Sequence, residues 1–394
     1  MKTKFIGMAA FAAVFGMALT SCSNNDDDLA QAGSAQIQAK KAITFDGYLN
    51  NVPTPRVKSY DANEGDIQTD GMMVWAFDAT RETAITDVAD FFMGSPTAGL
   101  AHTWDGGNSW YKAAADFFWP EYKLNFVALT PQTGGGIGTI AISQGAKTSE
   151  LQKPVMTVDI DVPLTTESDG TYGADTQKDI MIASIDDQAP LTTGSAALTF
   201  KHALSQIVFK GCVDATTTIH KAVVKSIKLV NVASDGTITY TAADDKFAAG
   251  SWGTKDKTYA ANIVNTVVTA KSGVSTDDIT GVDDNSASRD YQLMIMPQAS
   301  VVCTDGGITE NLSQTTEPAT GTYLLVNADI YANGDNSNKV LSTATNVYIP
   351  LESTTWEPGY KYTYVLKFGD NLLHPITFTA SVAAWTDADK NVEY

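Results

Sequence analysis

The stretch Ile376-Thr377-Phe378-Thr379-Ala380-Ser381-Val382 carries apolar side chains at every second position and small polar ones between them. A period of two puts Ile376, Phe378, Ala380 and Val382 on one face of a β-strand. Alternation of this kind, or a short apolar run closed by turn residues, recurs at residues 42–49, 72–77, 123–129, 155–160, 180–184, 197–200 and 205–210. It continues at 223–232, 237–240, 291–296, 323–327, 346–350 and 360–368. Helical candidates are confined to 84–92 and 113–117. Asp235-Gly236 between two apolar runs signals a hairpin. So many short strands separated by turns predict an all-β chain built of β-sandwiches.

A length of 394 residues accommodates two domains. Hydrophobic residues at 43% and charged residues at 18% supply enough apolar material for their cores. Turn formers in Asp186-Asp187-Gln188-Ala189-Pro190 and Thr192-Thr193-Gly194-Ser195 interrupt the strand pattern. They place an expected boundary between a domain at 42–188 and a second at 189–394. The polar stretch 271–290 is expected to be a loop of the second domain.

The first residues read as an export signal. Lys2 and Lys4 precede an apolar run over 5–18, too short to span a bilayer as a helix. The run ends in Leu19-Thr20-Ser21-Cys22, which resembles a bacterial lipobox. Residues 1–21 are thus expected to be a signal peptide, with Cys22 the lipidated first residue of the exported chain. The acidic run Asp26-Asp27-Asp28 resembles the surface-export signal of Bacteroidetes lipoproteins, and 22–41 reads as a polar tether.

A formal charge of −19 argues against nucleic acid as a partner, because phosphate backbones repel such a surface. Of the cysteines other than Cys22, Cys212 and Cys303 fit either a disulfide or two buried thiols. None of His102, His202, His220 and His374 has metal-ligand spacing. No nucleophile elbow, phosphate loop or dinucleotide fingerprint is present, and Gly134-Gly135-Gly136-Ile137-Gly138 reads as a loop. Asp277-Asp278 and Asp283-Asp284 lack the ligand alternation of a calcium loop. No catalytic residue, metal site or cofactor is therefore expected. Trp104, Trp110 and Trp119, with their aromatic neighbours, fit either a packed core or a sugar-stacking platform.

A series of landmarks carries a family resemblance. In order they are Ile43-Thr44-Phe45, Met73-Val74-Trp75-Ala76-Phe77, Trp119-Pro120, Leu124-Asn125-Phe126-Val127-Ala128 and Lys178-Asp179-Ile180-Met181-Ile182-Ala183. Leu198-Thr199-Phe200-Lys201-His202-Ala203-Leu204, Trp356-Glu357-Pro358-Gly359-Tyr360 and Val382-Ala383-Ala384-Trp385 complete the series. With these the chain resembles the Bacteroidales fimbrillin superfamily, the FimA/Mfa-like type V pilins. The resemblance implies two transthyretin-like β-sandwich domains in tandem and no cofactor. It also implies a lipoprotein precursor held at the outer membrane, cleaved by an Arg-specific protease and polymerised with other fimbrial subunits by strand exchange.

Within that resemblance, the strand to be displaced is 42–49, with Ile43 and Phe45 on its inner face. Cleavage is expected after Arg56, in Val52-Pro53-Thr54-Pro55-Arg56-Val57, where two prolines keep the chain extended and out of a ladder. The donor is expected at about 375–394, with Ile376, Phe378, Ala380 and Val382 as its inserted face. Ile-Thr-Phe opens both segments, as it should if one replaces the other. Four apolar side chains at roughly 1.5–3 kcal/mol each would contribute on the order of 6–12 kcal/mol before entropic costs. A shaft subunit is the expected role. The alternatives are a tip or anchor subunit, or a glycan-binding surface lipoprotein, which exposed tryptophans would favour.

Overall fold

The structure is a computed structural model, and it describes residues 41–49, 64–108, 110–146, 152–162, 177–213, 221–261, 266–269, 276–279, 293–304, 315–331, 339–341, 346–369 and 376–384. The strands are β1 (Phe45–Leu49), β2 (Met72–Asp78), β3 (Leu100–Asp105), β4 (Trp110–Ala113), β5 (Leu124–Thr130), β6 (Ile137–Gln144), β7 (Pro154–Asp161), β8 (Met181–Gln188) and β9 (Ala196–His202). There follow β10 (Ser205–Val213), β11 (Lys221–Val232), β12 (Asp235–Thr241), β13 (Lys246–Trp252), β14 (Lys257–Ala261), β15 (Thr266–Thr269) and β16 (Asp277–Asp278). The last are β17 (Leu293–Ile295), β18 (Tyr323–Tyr331), β19 (Lys339–Leu341), β20 (Val347–Pro350), β21 (Tyr360–Phe368) and β22 (Ile376–Ala384). Every strand expected from the sequence is among them.

Seven strands close into a barrel of order β1-β4-β3-β2-β5-β8-β9. Two packed layers arise from one alternating pattern. In β2, Met72, Val74 and Ala76 point into the barrel, while Trp75 and Phe77 belong to a second cluster outside it. In β5, Phe126 and Ala128 point inward while Val127 and Leu129 point outward. Both faces are dry, which is why these strands read as unbroken apolar runs. The outer faces pack with a four-stranded sheet, β13-β12-β7-β6, through Ile142, Val158 and Ile238.

The remaining strands form two sheets, β16-β10-β21-β22 with β17 beside β10, and β14-β11-β18-β19 with β15 and β20 alongside. Between them lie Phe209, Ile227, Val326 and Tyr364 in the same apolar cluster as the outer face of the barrel. The strand β10 follows β9 after only Ala203 and Leu204, both fully buried.

Some sequence expectations need correction. The stretch 186–195, read as a domain boundary, joins β8 and β9 of one barrel, and β12 and β13 from beyond it extend the sheet of β6 and β7. Turn-forming residues mark any exposed loop, and composition does not separate a loop from a linker. Asp235-Gly236 makes no hairpin: β12 pairs with β7 and β13, whereas β11 pairs with β14, β15 and β18. The chain changes sheet there, next to Asn231 at φ 62. Residues 84–92 hold only a short 3-10 turn at Val88–Asp90, and 113–117 hold no helix. The one α-helix among the described residues is α1 (Glu64–Asp70). It stops at Gly71, whose φ of 67 and bond from N–H to the Ile67 carbonyl (2.9 Å) form a helix end that favours glycine. Gly134–Gly136 do form a turn, but β6 begins at once with Ile137.

Candidate functional site: the seat of the first strand

The segment running into β1 is hydrogen-bonded on both sides. On one flank, Ile43 N donates to the Phe117 carbonyl (2.6 Å), Trp119 N to the Lys41 carbonyl (3.1 Å), and Phe45 lies opposite Tyr111 of β4. On the other, β1 runs parallel to β9, from Phe45 opposite Ala196 to Leu49 opposite Phe200. Ala196 N donates to the Thr44 carbonyl (2.9 Å), and the hydroxyls of Thr44 and Ser195 bond at 2.8 Å. Lys41 Nζ donates to the Gly194 carbonyl.

The inward face is apolar. Ile43 and Phe45 are buried in the barrel core. The Phe45 ring meets Phe126 edge-on, with centroids 5.1 Å apart. Burying the two side chains stabilises the closed barrel by about 3–6 kcal/mol. Gly47 lies against the interior as well: a Cβ there would sit 3.2 Å from Tyr111 Cε2 and 3.5 Å from Met72 Cε and Phe200 Cε2. Withdrawing the strand would leave a groove floored by Phe126, Tyr111, Met72 and Phe200, edged by unpaired backbone groups. Such an edge is a template for another strand.

The C-terminal strand sits differently. β22 pairs antiparallel with β21, from Ile376 opposite Phe368 to Ala384 opposite Tyr360. Among the described residues it is the outermost strand of its sheet, paired on one flank. Val382 is 44% exposed. Cys22, Arg56, Trp385 and the rest of the expected tail lie outside the described residues. The structure therefore brings Ile43 and Phe45 to the barrel seam and Ile376–Val382 to a sheet edge.

The other candidates fall into packing roles. Trp119 is buried and meets Phe126 at 5.7 Å, and Trp104 packs on Tyr111 at 5.0 Å, while Trp110 is half-buried. Cys212 and Cys303 are not joined in a disulfide; Cys303 is buried and Cys212 half-buried. Asp277 Oδ2 accepts from Thr269 N at 2.8 Å; Asp283 and Asp284 lie outside the described residues. His202 Nδ1 and Asp179 Oδ2 are hydrogen-bonded at 2.5 Å in the interior. Among the described residues no three His, Cys, Asp or Glu side chains are grouped to hold a metal.

Sequence reasoning weighed His102 only as a metal ligand and Tyr111 only as a member of an aromatic cluster, and it missed Gly47; the importance of all three depends on pairing between segments far apart in the chain. His102 lies inside the barrel; its Nδ1 donates to the Leu100 carbonyl (2.9 Å), and burial lowers its pKa to about 4.

Comparison with known proteins adds a family to this geometry. A family described as fimbrillin-like matches residues 61–385. No curated protein sequence matches the chain. A crystal structure of a fimbrial protein from Bacteroides vulgatus is 17% identical and covers 88% of this chain and 99% of its own, with a TM-score of 0.53. That likeness is one of fold. The tip fimbrial protein Mfa3 from Porphyromonas gingivalis, with a C-terminal truncation, is 10% identical, covers 84% of this chain and 97% of its own, and has a TM-score of 0.35.

Proposed function

The chain belongs to the fimbrillin-like family, and from that premise we propose that it is a non-enzymatic shaft subunit of a cell-surface fimbria. It is exported as a lipoprotein through Cys22 and held at the outer membrane. An Arg-specific protease then cuts after Arg56, and the subunit polymerises with others by donor-strand exchange. The observation that carries this reading is the seat of β1: a five-residue strand closing a barrel between two partners, with its Phe45 in the core. Cleavage after Arg56 would cut the covalent tie between β1 and the rest of the barrel, leaving only non-covalent contacts to hold the strand. Strand insertion from a neighbour restores both ladders and the core contact in one step, and interlocked backbones make the product slow to dissociate.

The test uses the purified precursor from Cys22 onward, treated with an Arg-specific protease and analysed by SDS gel without boiling. A ladder of oligomers is expected, lost on Arg56→Ala and on deletion of residues 375–394. Clean cleavage that yields monomers alone overturns the shaft assignment.

A further inference from the structure

Residues 43–49 read Ile-Thr-Phe-Asp-Gly-Tyr-Leu, and residues 376–382 read Ile-Thr-Phe-Thr-Ala-Ser-Val. Without a gap, Ile43 aligns with Ile376, Phe45 with Phe378, Gly47 with Ala380 and Leu49 with Val382. Identity or close likeness falls on the parity that Ile43, Phe45 and Gly47 turn into the barrel. At the alternate positions Thr44 recurs as Thr377, whereas Asp46 and Tyr48 are replaced by Thr379 and Ser381.

We infer that residues 376–382 of a second copy of this chain occupy the place of residues 43–49 in this one register, running parallel to β9, with Phe378 in the Phe45 site and Ala380 in the Gly47 site. The inference rests on the strand exchange proposed above and adds to it a register and a direction.

Three alternatives are excluded by the shape of the seat. A slip of one residue turns Thr377 and Thr379 into the apolar interior and Phe378 out of it. A slip of two that brings Phe378 to the Gly47 site places a phenyl group where a bare Cβ already lies 3.2 Å from Tyr111. The opposite slip of two puts Ala380 in the Phe45 site, leaving a void beside Phe126 and His102, and puts Val382 in the confined Gly47 site. In the matched register the Ala380 methyl meets only side-chain atoms at 3.2–3.5 Å, and a small ring movement of Tyr111 accommodates it. Thr377 takes the position from which Thr44 bonds Ser195. Once β1 has left, its seat offers pairing on two flanks, whereas among the described residues β22 is paired on one in its own chain.

The register can be read with cysteines. Tyr48 lies opposite Thr199 of β9, so the donor residue facing Thr199 is Ser381. Thr199 and Ser381 are both exposed. In precursor carrying Thr199→Cys and Ser381→Cys, cleavage followed by mild oxidation is expected to give reducible oligomers that survive boiling. The pair Thr199→Cys and Thr379→Cys is expected to give none. In an unlabelled background, Ala380→Gly keeps the ladder and Ala380→Phe loses it. Cross-linking through position 379 rather than 381, or a ladder in which neither pair links, overturns the register while leaving strand exchange standing. A disulfide within one chain overturns the second copy as the source of the strand. Absence of any ladder from the unmodified protein overturns the functional reading beneath it.

Discussion

The Phe45 ring meets the His102 imidazole edge-on, with centroids 5.2 Å apart and planes at 79°. The contact couples β1 to a titratable group. His102 Nε2 has no hydrogen-bonding partner among the described residues, and burial holds its pKa at about 4 against an ordinary value of 6.5. Once the barrel opens, water reaches the ring and the ordinary value returns.

This gives a pH dependence with a defined sign. The closed state has the lower pKa, so the opened state binds the proton first. Stability from a neutral, buried His102 is fully present above pH 6.5 and falls as the pH drops towards 4. The loss is at most about 3 kcal/mol. Urea unfolding of the uncleaved precursor at several pH values should show it, with His102→Leu as reference. The difference between the two proteins should narrow or reverse between pH 6.5 and 4. A constant difference across that window would mean that His102 does not titrate with opening.

Truncating the anchor should weaken the seat directly. Phe45→Ala removes a fully buried ring and leaves a cavity, at a cost of about 3–5 kcal/mol. Asp46→Asn, on the outward face of the same strand, should shift stability by no more than about 0.5 kcal/mol. Amide exchange over residues 45–49 should accelerate in Phe45→Ala and stay unchanged in Asp46→Asn. Equal exchange in the two variants would show that the ring does not hold the strand.

How much of this was legible in the sequence depends on the range of the interaction that decides it. Strands such as β2 and β5 announce themselves because alternation and apolar runs are local. So does the Ile-Thr-Phe repeat, and with it the likeness between residues 43–49 and 376–382. The closure of the barrel is not local: Phe45 pairs with Ala196 and Tyr111, and no short-range pattern specifies either partner. The same reason hid Gly47, whose role comes from side chains at 72, 111 and 200 converging on it. Asp235-Gly236 has the composition of a hairpin turn, yet β11 and β12 belong to different sheets, a choice made by what each strand buries. The helix α1 is too short for a 3.6-residue pattern to show.

The Asp179–His202 hydrogen bond ties the approach to β8 to the end of β9, just before the chain leaves the barrel. Both side chains are buried, so Asp179→Ala should destabilise by about 3 kcal/mol. Lys123–Asp187, at 2.6 Å on the surface, is a fair control: Lys123→Ala should change stability by less than about 1 kcal/mol. Thermal unfolding of the two variants under one condition separates these effects. Comparable losses would mean that the interior bond adds nothing beyond an exposed ion pair.

Where β21 pairs with β22, Trp356 Nε1 donates to the Tyr364 hydroxyl at 2.8 Å, with both side chains buried. Burial raises the Tyr364 pKa, so its hydroxyl stays protonated, and an unpaired indole N–H at this depth has no water to turn to. Tyr364→Phe should therefore cost about 1–3 kcal/mol through the orphaned donor rather than through lost packing. Trp356→Phe should cost more, because it also removes ring volume. A double-mutant cycle separates the two causes, and the coupling should lie at about 0.5–3 kcal/mol. Because the pair sits on β21 and its preceding loop, neither variant should alter amide exchange over residues 45–49 of the barrel. A coupling indistinguishable from zero would show that the bond contributes nothing and that Trp356 acts through volume alone.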